Sequence, residues 1–78
     1  MAHSNRDSQL LNFAHNVAVL RQRHGLTKTA MAHLLHISVK TLTRLESGDI
    51  PRGLSVDVLF HAYVHFGIPP RKLLAERL

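Results

Sequence analysis

The chain has 78 residues, with ten Lys and Arg against five Asp and Glu, a formal net charge of +5 and no cysteine. Its length predicts one domain with a single core, and its hydrophobic content of 45% excludes an intrinsically disordered chain. The lack of cysteine excludes disulfides, thiolate zinc sites and cysteine nucleophiles. Because residues 8–45 contain no Asp or Glu, we expect a polyanion as partner.

The apolar segments do not indicate export or a membrane span. Residues 1–8 are polar and lack the apolar run of a signal peptide. The longest apolar stretch, residues 56–66, is interrupted by Asp57, His61 and His65. We therefore expect a cytoplasmic protein with no membrane partner.

Glycines and prolines divide the chain into segments of helical length, and no segment alternates with period two. This pattern predicts a compact all-α domain of five helices at residues 8–78, behind a flexible tail at residues 1–7. The predicted helices cover residues 8–24, 28–35, 39–47, 56–66 and 70–77.

The first predicted helix begins with Asp7 or Ser8 as its N-cap and ends at Gly25. Its apolar residues recur with the spacing of one helical face. The predicted inward face consists of Phe13, Val17 and Leu20.

The second and third predicted helices are separated by only three residues. Thr27 and Ser38 are suitable N-caps, Ala32 is small enough for close helix approach, and Ile37 fills the turn. Two short helices joined in this way form the unit that inserts a helix into the major groove of DNA. The predicted inward side chains are Met31, Leu35, Leu42 and Leu45.

The last two predicted helices are bounded by Ser55 as a cap, Gly67 as a stop and Pro70 at a first helical position. The predicted buried stripe of the fourth helix consists of Val56, Leu59, Tyr63 and Phe66. The fifth helix carries Leu73, Leu74 and Leu78.

The pair Gly25-Leu26 and the run Leu45-Glu46-Ser47-Gly48 enclose the predicted helix pair. With these residues, the segment 25–48 resembles the helix-turn-helix core of the lambda-repressor-like family of Cro, cI and XRE-type regulators. The resemblance implies that the chain is encoded by a bacterium or a phage. The resemblance continues over residues 56–74, which look like the fourth and fifth helices of that family. It implies sequence-specific binding of a palindromic operator in double-stranded DNA, usually by a homodimer and usually for repression.

Carried over by position, the resemblance implies base contacts from Val39, Lys40 and Arg44. Lys40 and Arg44 lie one turn apart, opposite the predicted core residues, and their donors suit guanine O6 and N7, while Val39 suits a thymine methyl. An open alternative is that both cations are solvated or phosphate-bound. The residues implied near phosphates are Thr27, Lys28, Thr41 and Thr43, and Arg52 is available to contact the DNA backbone.

Three features depart from the family pattern. His36 occupies a turn position that is usually Gly, although His tolerates positive φ better than most residues. Lys28 replaces a usual Gln, which adds a charge beside the phosphates. The loop from Gly48 to Ser55 is about two residues longer than is common.

The resemblance also implies a pair of charged residues, Arg21 with Glu46, which is expected to be a structural salt bridge.

Seven histidines raise the question of a metal site. The pairs His33 with His36 and His61 with His65 have helical spacing, but no Cys or carboxylate cluster completes either pair. We therefore expect no metal and no other cofactor. The expected subunit interface instead comprises His61, Val64, His65, Leu73 and Leu74.

Other functional classes remain as alternatives. No nucleophile, base and orienting residue form a set, so we expect no enzyme. An antitoxin-like or other protein-interaction module is suggested by apolar residues that the core was not expected to need, namely Leu34, Val58 and Val64. A restriction-modification controller, acting as activator or repressor, also fits. Repression is favoured because activating relatives carry acidic residues on the second helix, and Thr29, Ala30 and His33 are not acidic.

Overall fold

The computed structural model describes the backbone of residues 5–78 and the side chains of residues 8–78. The described part has no strand, and its five helices confirm the predicted all-α fold. They are α1 (Asn5–Arg23), α2 (Lys28–Leu35), α3 (Val39–Glu46), α4 (Asp57–Phe66) and α5 (Pro70–Ala75).

Helix α1 begins three residues earlier than predicted. The predicted caps Asp7 and Ser8 lie inside the helix, because no Gly or Pro between Asn5 and Ser8 interrupts the helical backbone. Residues 5–7, which were predicted to belong to a flexible tail, are therefore helical, and residues 1–4 lie outside the described residues.

Three successive helices end with the same left-handed turn. The residues that close them have positive φ: Gly25 at 62°, His36 at 58° and Gly48 at 87°. In each turn the next residue donates its N–H to the carbonyl five residues earlier, as Leu26 does to the Arg21 oxygen at 2.9 Å. The predicted left-handed backbone of His36 is confirmed.

The predicted caps of the second and third helices are also confirmed. The Thr27 hydroxyl accepts from the Ala30 N–H at 3.1 Å, and the Ser38 hydroxyl accepts from the Thr41 N–H at 3.0 Å. These caps satisfy N–H groups that have no partner within their own helix. Local sequence therefore determines both ends of this helix pair.

The five helices enclose one core. Helix α1 packs against α3 and α5, α2 against α3 and α4, and α4 against α5. The buried apolar residues include every inward residue predicted for the first three helices. They are Phe13, Ala14, Val17, Leu20, Met31, Ala32, Leu35, Leu42, Leu45, Val58, Ala62 and Leu73.

The buried face predicted for α4 is only partly right, because Leu59 and Phe66 pack against the core but Val56 and Tyr63 do not. Val58 and Ala62 are buried, whereas Val56 and Tyr63 are exposed and Leu59 and Phe66 are only half-buried. Helix α4 is apolar on both faces, so spacing alone does not choose between them. The small Ala62 side chain permits the close approach that the larger predicted residues would prevent.

The start of α4 differs from its prediction by one residue. The helix begins at Asp57, whose N–H donates to the Ser55 hydroxyl at 3.2 Å. The N-cap is Val56, which makes no side-chain cap, so the prediction of Ser55 as the cap is wrong by one residue. Gly67, in the left-handed conformation, ends the helix as predicted.

Helix α5 ends at Ala75 instead of residue 77, because side chains of α1 bind its last carbonyls. The fully buried Asn16 donates to the Leu73 and Glu76 carbonyl oxygens, each at 2.7 Å, and accepts from the Leu78 N–H at 2.8 Å. The chain is already extended at Glu76. We call these three hydrogen bonds the asparagine clamp, and the sequence did not predict it.

No helix in the described residues is both long enough and apolar enough to cross a membrane.

Candidate nucleic-acid interface

Helix α3 has two sharply different sides. Leu42 and Leu45 are fully buried against the rest of the bundle. On the opposite side the implied base-contact residues Val39, Lys40 and Arg44 are all exposed. The structure thus brings these three residues together on one accessible face, and their contacts with DNA stay predictions.

Arg21 and Glu46 join α1 to the end of α3. Arg21 Nε donates to Glu46 Oε2 at 2.7 Å, and Nη2 donates to Oε1 at 3.0 Å. Arg21 Nη1 also donates to the Leu26 carbonyl oxygen at 3.2 Å. Because the Glu46 carboxylate accepts two of these hydrogen bonds, the pKa of Arg21 is raised. The implied ion pair is therefore present, and it holds α3 in place on the bundle.

Arg44 forms a second ion pair, with Asp49. Its Nε donates to Asp49 Oδ2 at 2.9 Å, and both side chains are exposed. Because Arg44 donates this hydrogen bond, the pKa of Asp49 is lowered and that of Arg44 is raised. The residues alone did not reveal Asp49, although an acid directly after the helix-ending Gly48 is a signal that could have identified it.

Two of the implied phosphate contacts already serve as parts of helix caps. The Thr27 hydroxyl caps α2, and the Thr41 hydroxyl accepts from the Ser38 hydroxyl at 2.9 Å. Each hydroxyl keeps its own proton for donation to another acceptor. Thr43 is exposed on α3, and Lys28 is half-buried at the start of α2.

Arg52 lies in the loop between α3 and α4. It lines a groove of about 790 Å³ that is bordered by Phe13, Leu59 and Leu74. No hydrogen bond or ion pair among the described side chains links it to α3. The structure therefore does not group Arg52 with the face of α3.

The turn of the helix pair is supported by α4 through an unpredicted contact. The His36 and His61 rings stack with centroids 4.0 Å apart and an interplanar angle of 18°. His61 is half-buried beside this turn, and its place in a subunit interface stays a prediction. The stack packs α4 against the connection that positions α3.

The structure corrects one residue of the expected subunit interface. Leu73 is fully buried in the core, so its side chain is not available to a second chain, and Leu74 is half-buried. Val64 is 76% exposed and His65 is also exposed. Sequence reasoning missed the apolar residues that share the outer face of α4 with Val64, which are Val56, Phe60 and Tyr63.

Histidines and acids do not assemble into a cation site in the described part of the chain. No group of three or more His, Asp or Glu side chains there is arranged to hold a metal ion.

Comparison with known proteins identifies the same segment. The model of the helix-turn-helix domain family matches residues 12–63, which is more than half of the chain and contains α2 and α3 completely. No curated protein and no solved structure matches the chain.

Proposed function

The chain belongs to the helix-turn-helix domain family, and from this premise we propose that it is a sequence-specific DNA-binding transcription regulator. Helix α3 enters the major groove and reads base edges through Val39, Lys40 and Arg44. The observation that carries the proposal is the exposure of these side chains on one face of a helix whose opposite face is fully buried. A rigidly seated helix with free donors is what direct reading of bases requires.

Contacts with phosphates supply affinity that does not depend on sequence. Lys28 and the hydroxyls of Thr27, Thr41 and Thr43 are the residues proposed for this role, and Arg52 contributes from the loop. The acid-free stretch at residues 8–45 supports the assignment, because it contains both α2 and nearly all of α3. Only Glu46 within α3 is acidic, and Arg21 neutralises it.

The functional unit on DNA is a homodimer at a palindromic site. The domain measures 38 × 24 × 20 Å and offers one such helix, so one copy occupies one groove. Two copies related by a two-fold axis place their α3 helices in successive major grooves, about 34 Å apart.

The outer face of α4 is the surface proposed for contact between the two copies. It has four exposed apolar side chains at helical spacing: Val56 (68%), Phe60 (56%), Tyr63 (48%) and Val64 (76%). None of the four is charged, so their burial between two copies has no desolvation penalty of the kind that a charged side chain would add. A two-fold interface requires such a self-complementary patch.

Sedimentation measurements test this interface. Val64→Asp introduces two charges at the centre of the dimer and should convert it to a monomer, whereas Thr29→Asp, on the exposed part of α2, should leave it dimeric. A wild-type chain that stays monomeric at all concentrations would contradict the self-association, and would favour a different protein partner at α4.

Repression by occlusion of a promoter is the proposed outcome of binding. Helix α2 carries no acidic residue, and its exposed positions Thr29 and His33 offer no negative charge to a polymerase. An activating restriction-modification controller is the competing assignment. A reporter gene placed behind the selected operator separates the two, because repression lowers its expression and activation raises it.

Selection of bound sites from random DNA duplexes tests the proposed recognition. The wild-type chain should enrich a palindrome, and Arg44→Ala should lose preference at one base pair of each half-site by roughly 10- to 100-fold. If Arg44→Ala instead bound all sequences equally less well, the assignment of Arg44 to a base would be wrong.

A further inference from the structure

The turn after α3 holds one acidic residue in a fixed position beside Arg44. Gly48 adopts φ +87°, which turns the chain back so that the Asp49 N–H donates to the Arg44 carbonyl oxygen at 2.9 Å. The Ser47 hydroxyl donates to the same oxygen at 2.7 Å. The backbone of Asp49 is therefore fixed relative to the residue with which its side chain pairs.

The side-chain pair uses only part of Arg44. Asp49 Oδ2 accepts from Nε at 2.9 Å, and no hydrogen bond of the described residues involves either Nη group of Arg44. Arg21 differs, because Nε, Nη1 and Nη2 of that side chain all have partners. Asp49 thus restrains the Arg44 guanidinium at Nε, and the two Nη groups make no hydrogen bond within the described residues.

Those unused donors have the geometry of a base-reading group. A guanidinium is planar, and its two Nη groups together match O6 and N7 of guanine. An unsupported arginine has many rotamers and must lose that freedom when it binds. Restraint by Asp49 reduces the conformational entropy that Arg44 loses on binding. Because Nε is paired with Asp49, the edge formed by Nη1 and Nη2 is the one left for the base.

We propose that Asp49 is a positioning residue for Arg44 and thereby sets a preference for guanine at one base pair of each half-site. This inference rests on the proposed function, which assigns Arg44 to a base. Asp49 has a second effect, because its exposed carboxylate lies 2.9 Å from the arginine proposed to contact DNA and is a negative charge that repels phosphates. It therefore weakens binding to every sequence while it sharpens the choice among them.

These two effects predict opposite changes in one variant. Asp49→Ala should reduce the preference for guanine over the other bases by about tenfold. The same variant should bind random duplex DNA several-fold more tightly, and the gain should shrink as salt is added. Competition binding with the selected operator, operators changed at that base pair and random duplex measures both quantities.

Three further variants make the test specific. Glu76→Ala removes an equal charge from the exposed end of the chain after α5 and should leave the guanine preference unchanged. Asp49→Asn keeps an acceptor without the charge and should give an intermediate preference. Arg44→Lys keeps the charge but lacks the planar fork and the Nε donor that pairs with Asp49, so its guanine preference should be weaker and should not change when Asp49 is replaced.

The inference is overturned if Asp49→Ala and Asp49→Asn both select guanine as strongly as the wild type. It is also overturned if both variants only bind all sequences more tightly by one common factor, since Asp49 would then be a repelling charge and nothing more. A wild-type chain that enriches no sequence at all would overturn the proposed function as well. Circular dichroism of each variant shows whether it is folded, and either of the two Asp49 variants suffices for the test.

Discussion

Polar side chains inside the bundle and those on the outer side of α3 differ in how completely they are paired. Inside, Asn16 makes three hydrogen bonds, and Arg21 and Glu46 pair through two, with side chains only 19% and 9% exposed. Outside, Arg44 and Asp49 share one hydrogen bond and are 49% and 62% exposed.

The difference separates two uses of the same chemistry. A buried polar group must have its partners within the protein, because an unmet donor or acceptor there is destabilising. No buried side-chain nitrogen or oxygen among the described residues lacks one. An exposed group can leave donors free for a ligand. Interior pairs therefore specify the fold, and the outer pair suits recognition.

The largest expected effect concerns the interior. Asn16→Ala removes three hydrogen bonds and leaves two carbonyls and one N–H of the C-terminal segment without partners, so the free energy of unfolding should fall by about 3 kcal/mol. Urea unfolding followed by circular dichroism measures the change. Asn12→Ala is the matched control, because Asn12 is half-buried and bonds to the Leu74 carbonyl oxygen and to Arg77 at the exposed edge of the same segment. Asn12→Ala should lower the free energy of unfolding by about 1 kcal/mol. Equal falls for the two variants would contradict the distinction between buried and exposed polar pairs.

The second effect compares the two ion pairs directly. Glu46→Ala leaves the half-buried Arg21 guanidinium without its carboxylate and should lower the free energy of unfolding by about 2 kcal/mol. The melting temperature should then fall by roughly 10 °C for a domain of this size. Asp49→Ala, at the exposed pair, should leave the melting temperature unchanged within error. A similar fall for both variants would show that the outer pair also belongs to the fold.

The smallest expected effect concerns a proposed contact with the phosphate backbone of DNA. Lys28→Ala should weaken binding to every DNA sequence by the same factor, because a phosphate contact carries no sequence information. The slope of log affinity against log salt should decrease by about one. Lys72→Ala, an equal change of charge on α5, should leave the slope unchanged. If Lys28→Ala lost affinity only for the selected operator, Lys28 would have to contact a base instead of a phosphate.

The helix pair could be predicted closely because its signals are local. Thr27, Ser38 and Gly48 act on N–H and carbonyl groups within a few residues of themselves, so their roles follow from sequence spacing. The left-handed turn at His36 is local in the same sense. The Arg21 and Glu46 pair is 25 residues apart, and the family resemblance, not spacing, pointed to it.

The remaining features depend on contacts between distant segments. Asn16 bonds to residues 57 to 62 positions away, so no local pattern announces the clamp. The phase of α4 is another case, because both of its faces are apolar and only packing against α2 and α5 selects Val58 and Ala62 for the core. That choice leaves Phe60, Val64 and their neighbours outside.

By itself, the sequence determined the number of helices, the caps and turn of the helix pair and the basic character of one stretch, since these depend on short-range hydrogen bonding and on charge. Only the tertiary structure decided which face of α4 is exposed, how the chain ends are held and that Asp49 restrains Arg44 by one bond. Those outcomes depend on which atoms meet in space and which donors stay free, and a linear pattern does not specify either.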